Sequence, residues 1–172
     1  NLKQVRAPGV EQLDTFAFRA CKALESFEGN SLKVVGEDAF YGCSKLKYID
    51  FSTVEKIGES AFYDTKSLTS LVSDTLTELG SFAFYNSGVK TVNISKVTKI
   101  NWSTFKNCAE LEKVNIPLVD SIEKEAFRNC TALVEINADN LDTIGRLAFS
   151  TCSSLEEIDF PRLTTFGETG KQ

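Results

Sequence analysis

The sequence predicts an α/β solenoid, a stack of similar coils each built from a short strand, a helical or 3₁₀ turn and a second short strand. Three observations carry this. Aligned on the Ala-Phe or Thr-Phe pair, phenylalanine recurs at Phe18, Phe40, Phe62, Phe84, Phe105, Phe127 and Phe149, in steps of 22, 22, 22, 21, 22 and 22 residues. A fixed period of that length marks stacked repeats, since one unit cannot bury its own apolar side but neighbours in register can. Within one unit, LKVVGEDAFYGCSKLKYIDFST at 32–53, the apolar residues follow neither a 3.6 nor a 2.0 period throughout. Its two ends, LKVV and LKYIDF, hold β-branched and aromatic residues in short runs, whereas GEDAFYGC between them opens with Gly36 and reads as one or two helical or 3₁₀ turns.

Taken in order, full coils begin at Val10, Leu32, Val54, Leu76, Val97, Val119 and Leu141, and a truncated eighth begins at Leu163 before the polar stretch Glu168 to Gln172. The whole of 1–172 is thus one solenoid domain of about seven full repeats with partial repeats at both ends and no linker. At roughly 4.8 Å per stacked strand, the coils make a rod or arc about 35 Å long. Leu2 and Val5 match Leu24 and Phe27 at the 22-residue offset, so the chain opens in mid-unit, and it has no methionine. A piece of a longer protein is expected, and the missing targeting segment says nothing about location.

The pattern V-x-x-I-G-x-x-A-F-x-x-C-x-x-L-x-x-I-x-x-P resembles the 22-residue, Treponema-type leucine-rich repeat of BspA-like bacterial and protist surface proteins. VEKIGESAF (54–62), LDTIGRLAFSTCSSLEEIDFP (141–161) and their equivalents carry the resemblance over nearly the whole chain. Departures are Thr65 and Ser87 at the Cys position, Asn101 and Glu123 at the Gly position, and Pro only at Pro8, Pro117 and Pro161. The resemblance implies an α/β leucine-rich repeat solenoid, right-handed, with the LxxIxF strands parallel on one curved face and short second strands and helical turns on the other side. It also implies an extracellular or cell-surface location, and adhesion to host proteins or other microbes.

Composition excludes several functions. With 42% apolar and 25% charged residues, this is an ordinary water-soluble composition, with no apolar run long enough for membrane insertion. The formal charge of −5 argues against nucleic acid. The absence of histidine removes the usual general base and the commonest metal ligand. Cys21, Cys43, Cys108, Cys130 and Cys152 share one place in their units and form a single-file column. Such a column reads as buried thiols, and supplies neither the converging ligands of a zinc site nor the torsion of a disulfide. Neither a metal nor another cofactor is expected, no residue is assigned a catalytic role, and the chain is read as a non-enzyme.

Two surfaces remain as candidates for a protein ligand, such as a host extracellular-matrix protein or another cell-surface protein. On the curved face one outward column reads Arg6, Glu28, Asp50, Val72, Asn93, Asn115, Asn137 and Asp159, and its neighbour Gln4, Ser26, Tyr48, Ser70, Thr91, Lys113, Glu135 and Glu157. Asp50, Asn93, Lys113, Asn115, Glu135 and Asn137 are the candidate contacts there; amides stacked in parallel columns would also simply solvate a sheet. The second surface is an aromatic corner of Tyr63, Phe82, Tyr85 and Trp102, where the fourth unit is one residue short and the fifth replaces GxxAF by NWSTF. Broken local rules mark function or strain, so these rings either fill the gap left by the deletion or anchor a partner. A spacer that only displays another domain is the alternative to adhesion, with a hydrolase a distant third. Three sequons, at Asn93, Asn101 and Asn129, have a consequence only in a eukaryotic secretory route.

Overall fold

The computed structural model describes residues 1–167, and the polar stretch at 168–172 lies outside them. Two ladders of short parallel strands run along the chain. The first holds Gln4–Arg6, Ser26–Glu28, Tyr48–Ile49, Ser70–Ser73, Thr91–Ile94, Lys113–Asn115 and Glu135–Asn137. The second holds Gln12–Leu13, Val34–Val35, Lys56–Ile57, Glu78–Leu79, Lys99–Ile100, Ser121–Ile122, Thr143–Ile144 and Thr165–Phe166. Partners stand 22 residues apart, as Gln4 opposite Ser26, except across the short fourth coil, where Ser70 faces Thr91 at 21. Alternation along a strand sends one residue inward and the next outward: Leu71, Val92 and Val114 are buried, while Val72 and Asn93 face solvent.

The expected helical turns are not there. None of the described residues is helical, so the solenoid is all-β rather than α/β. The reason lies in where the backbone donors point. In the second coil, Ala39, Tyr41 and Cys43 donate to the carbonyls three residues back, at Gly36, Asp38 and Phe40. The alternate residues Asp38, Phe40 and Gly42 donate instead to Glu59, Ala61 and Tyr63 of the next coil, at 2.9, 2.8 and 2.8 Å. Half the donors make 3₁₀-type bonds and half bind the neighbouring coil, whereas a helix would spend all of them internally. Left-handed residues enforce the alternation by interrupting any helical run. They recur in two columns, one at Phe16, Asp38, Ser60, Phe82, Ser103, Glu125 and Leu147, the other at Ala20, Gly42, Asp64, Asn86, Asn107, Asn129 and Thr151. The second column is mostly Gly, Asn and Asp, which tolerate positive φ; the first is not, and each such residue there costs on the order of 1 kcal/mol or more.

Inter-coil bonding at this spacing brings backbones together. A Cβ on Gly80 would lie 2.5 Å from the Glu59 nitrogen, and one on Gly88, at the shortened corner, only 1.9 Å from the Lys66 carbonyl oxygen. Gly88 is therefore what lets the fourth coil close with one residue fewer. Inside the stack the phenylalanines form a continuous column, with centroids 5.0 to 5.6 Å apart and neighbouring planes within 20° from Phe18 to Phe149. Phe40 through Phe127 are fully buried. The outermost coils are looser: Phe18 and Cys21 at one end, and Phe149, Leu155 and Leu163 at the other, are only partly covered.

Two stability measurements follow. Phe105→Ala should open a cavity in mid-column and cost about 3 to 5 kcal/mol in urea denaturation; an unchanged midpoint would contradict the packed column. Ser103 is buried with a φ of 52° and an unpartnered hydroxyl. Ser103→Gly should relieve both, offset in part by the added freedom of the unfolded chain, for a net gain of about 1 kcal/mol. A lowered midpoint would mean that the left-handed column carries no strain.

Candidate functional site

On the first-strand face, Asn115 Nδ2 donates to Asn93 Oδ1 and Asn137 Nδ2 to Asn115 Oδ1, both at 2.9 Å. The amide column is thus a one-way ladder, and its open donor is the Nδ2 of Asn93. The other two sequon amides are engaged: Asn101 Nδ2 donates to the Leu79 carbonyl at 2.7 Å, and Asn129 Nδ2 to Asn107 Oδ1 at 2.7 Å. Beside the ladder Lys113 and Glu135 pair at 2.9 Å, and this carboxylate holds the Lys113 ammonium above its usual pKa. Both partners are exposed, so the pair contributes little to stability. Asp50 Oδ1 accepts from the Ser52 backbone at 2.9 Å and shapes the turn after its strand.

Most of the predicted polar contacts on this face therefore satisfy one another across coils. Asp50 is separated from Asn93 by Val72, which occupies the column between them. Sequence reasoning did not single out Val72 or Tyr48, which are 54% and 57% exposed on adjacent outward columns. The signal was available as two large apolar residues in otherwise polar columns. The first ladder is also interrupted here: Tyr48–Ile49 and Ser70–Ser73 belong to different sheets, and Ser73 Oγ reaches back to the Phe51 carbonyl at 3.0 Å.

The aromatic corner does come together. Tyr41, Tyr63 and Tyr85 stack nearly parallel, with centroids 4.6 and 4.5 Å apart. Phe82 sits 6.0 Å from Tyr85 and meets Trp102 edge-on at 4.8 Å. Burial pushes the Tyr63 hydroxyl up to about 12. Trp102 is 44% exposed, its backbone N–H donates to Glu123 Oε2 at 2.9 Å, and Lys124 Nζ lies 5.5 Å from its ring centroid. Around the corner a side chain after the core Phe meets the left-handed residue of the next coil: Arg19 pairs with Asp38, and Lys106 with Glu125 at 2.5 Å. Arg128, in the same coil as Glu125, reaches that carboxylate at 3.3 Å. Lys106 and the other neighbouring cations hold Glu125 below the usual carboxylate range. At the equivalent places in the middle coils stand the uncharged Tyr41 with Ser60 and Tyr63 with Phe82, and there the tyrosines stack on one another instead.

The thiols are structural. Cys43, Cys108, Cys130 and Cys152 each direct Sγ to the carbonyl of the preceding coil's core Phe at 3.0 to 3.1 Å. Ser87 keeps the column polar beside Cys108, at 3.3 Å.

A profile of the BspA type leucine rich repeat region matches in six copies, over residues 1–112 and 98–169. Among solved structures, a leucine rich repeat protein from T. pallidum is 26% identical, with a TM-score of 0.77 over 91% of this chain and 79% of its own. One from Eubacterium ventriosum is 21% identical, with a TM-score of 0.69, and a leucine rich cell surface protein from Faecalibacterium prausnitzii is 20% identical, with 0.59. The chain spans 41% and 61% of those two proteins, which share its fold. No curated protein matches.

Thiol chemistry gives the check on this column. Burial pushes Cys43 up to about 12 and Cys108 to about 11, with Cys130 also well raised. Alkylation needs the thiolate, so iodoacetamide at pH 8 should spare these three in the native chain and modify all five after unfolding in urea. Raised values mean that the thiols' contribution to stability is complete below the free-thiol pKa, roughly 8.5, and is lost as pH climbs toward 11 to 12. Rapid native labelling of Cys108 would contradict the buried column.

Proposed function

This chain belongs to the BspA-type leucine-rich repeat family, and from that premise we propose that it is a non-enzymatic, protein-binding module of a surface or secreted protein, engaging its partner through the first-strand face. The observation that carries this is the exposure of Tyr48 and Val72, with Val72 standing opposite Asn93, whose amide is the open end of the ladder. Where Lys113, Glu135, Asn115 and Asn137 are taken up by the ion pair and the amide ladder, these three offer apolar area and a donor. A partner's binding energy concentrates in such places, and the paired polar columns around them supply register. The described cell-surface relative from Faecalibacterium prausnitzii supports a surface location. Host extracellular-matrix proteins and other cell-surface proteins are the partners to try first.

A second reading has its own observation: Trp102 is exposed rather than sealed into the gap left by the deletion. An aromatic anchor at Phe82, Tyr85 and Trp102, with Tyr63 behind it and Lys124 over the indole, fits a partner that presents an apolar or acidic side chain.

Surface plasmon resonance against immobilised extracellular-matrix proteins separates the two. If the first-strand face binds, Tyr48→Ala with Val72→Ser should weaken affinity by about 2 kcal/mol or more, Asn115→Ala by only about 1, and Trp102→Ala hardly at all. If the aromatic corner binds, Trp102→Ala alone should cost 2 kcal/mol or more. Binding unaltered by every folded variant would contradict both surfaces, and no binding by the folded chain would leave the solenoid as a spacer.

A further inference from the structure

We infer that the solenoid has a built-in joint on its second-strand side, between the fourth and fifth coils. Elsewhere each second strand is tied to the one before it by a repeated set of backbone bonds. Thr77 donates to the Glu55 carbonyl at 2.9 Å and Gly80 to Ile57 at 2.8 Å; further on, Asp120 donates to Thr98 at 2.9 Å and Glu123 to Ile100 at 2.8 Å. At the step from Glu78–Leu79 to Lys99–Ile100 neither of these bonds forms, and the second ladder divides into two sheets. A crevice of about 440 Å³ opens there between Thr77, Glu78 and Leu79 on one side and Thr98, Lys99 and Asn101 on the other. The ties across it are side chains: the Asn101 amide donates to the Leu79 carbonyl at 2.7 Å, and the Thr104 hydroxyl to the Gly80 carbonyl at 3.3 Å.

The cause is the missing residue. Glu123 also stands where other coils have glycine, and it keeps its backbone bond at 2.8 Å, so loss of glycine alone does not open the ladder. The open step is instead the one whose coil is a residue short, roughly 3.3 Å of chain. Register is restored on the first-strand side, where Leu71 faces Val92 and Ser73 faces Ile94. It is restored along the turns too, where Phe82, Phe84 and Asn86 donate to Trp102, Thr104 and Lys106 at 3.0, 2.9 and 2.8 Å. At this step two sides of the stack are therefore continuous and the third is held by two exchangeable side-chain bonds, which is the geometry of a hinge. Its closed side lies under Thr91–Ile94, so opening the crevice changes the curvature of the face at Asn93. That consequence for a partner rests on the proposed binding face; the joint does not.

The test uses the native chain, labelled for NMR. Amide hydrogen exchange at Thr98 and Asn101 should run at least about 10-fold faster than at the equivalent Asp120 and Glu123, because locally open segments exchange without global unfolding. Residual dipolar couplings should require different alignment tensors for residues 10–87 and 97–150. Equal protection on both sides of the crevice, or one tensor fitting both halves, would overturn the joint. Neither result depends on a partner, so failure of the binding reading leaves this outcome readable.

Discussion

The structure depends on one division of labour among backbone donors. Between the two strands of each coil, alternate N–H groups turn away from their own coil and bind the next. That choice fixes the rest. Coils so bonded stand at strand spacing, which places phenylalanine on phenylalanine and thiol on the neighbouring Phe carbonyl, and demands glycine where backbones nearly touch. It needs left-handed residues in every coil, and the chain accepts them even at Phe16, Phe82 and Leu147, where the side chain gives no local help. Packing and the inter-coil bonds offset that local penalty, coil by coil.

How much of this could be read from the residues alone follows from the same division. The period, the core Phe and Leu positions and the thiol column were legible, because an identical environment at each coil selects an identical residue. The helical turn was misread because Gly-Glu-Asp-Ala-Phe-Tyr-Gly-Cys contains nothing that forbids a helix, and its 3₁₀-type bonds do form at alternate residues. The clue was the column of Gly42, Asp64, Asn86, Asn107 and Asn129, the residue types that favour positive φ. The companion column carries no such mark. On the surface, the amide column and the aromatic corner were legible by position, whereas the bonds that satisfy the amides and the exposure of Tyr48, Val72 and Trp102 depend on neighbouring side chains that a periodic pattern does not specify.

The proposed binding surfaces and the irregular steps coincide in this molecule. Repeats that obey the rule spend their polar groups on one another, as in the inter-coil pairs Arg6–Glu28, Lys47–Glu25 and Lys113–Glu135. Places that break it leave groups over: two exposed apolar side chains where the first ladder is interrupted, an exposed indole and a crevice where the fourth coil is short. A solenoid is a sum of nearest-neighbour interfaces, so one irregular step can carry recognition or motion without threatening the others.

The division of donors can be observed directly through scalar couplings across hydrogen bonds in the labelled native chain. The account predicts couplings from the amides of Asp38, Phe40 and Gly42 to the carbonyl carbons of Glu59, Ala61 and Tyr63, and from Ala39, Tyr41 and Cys43 to Gly36, Asp38 and Phe40. Couplings from consecutive amides in 36–46 to carbonyls four residues back would show a helical turn after all, and would contradict it.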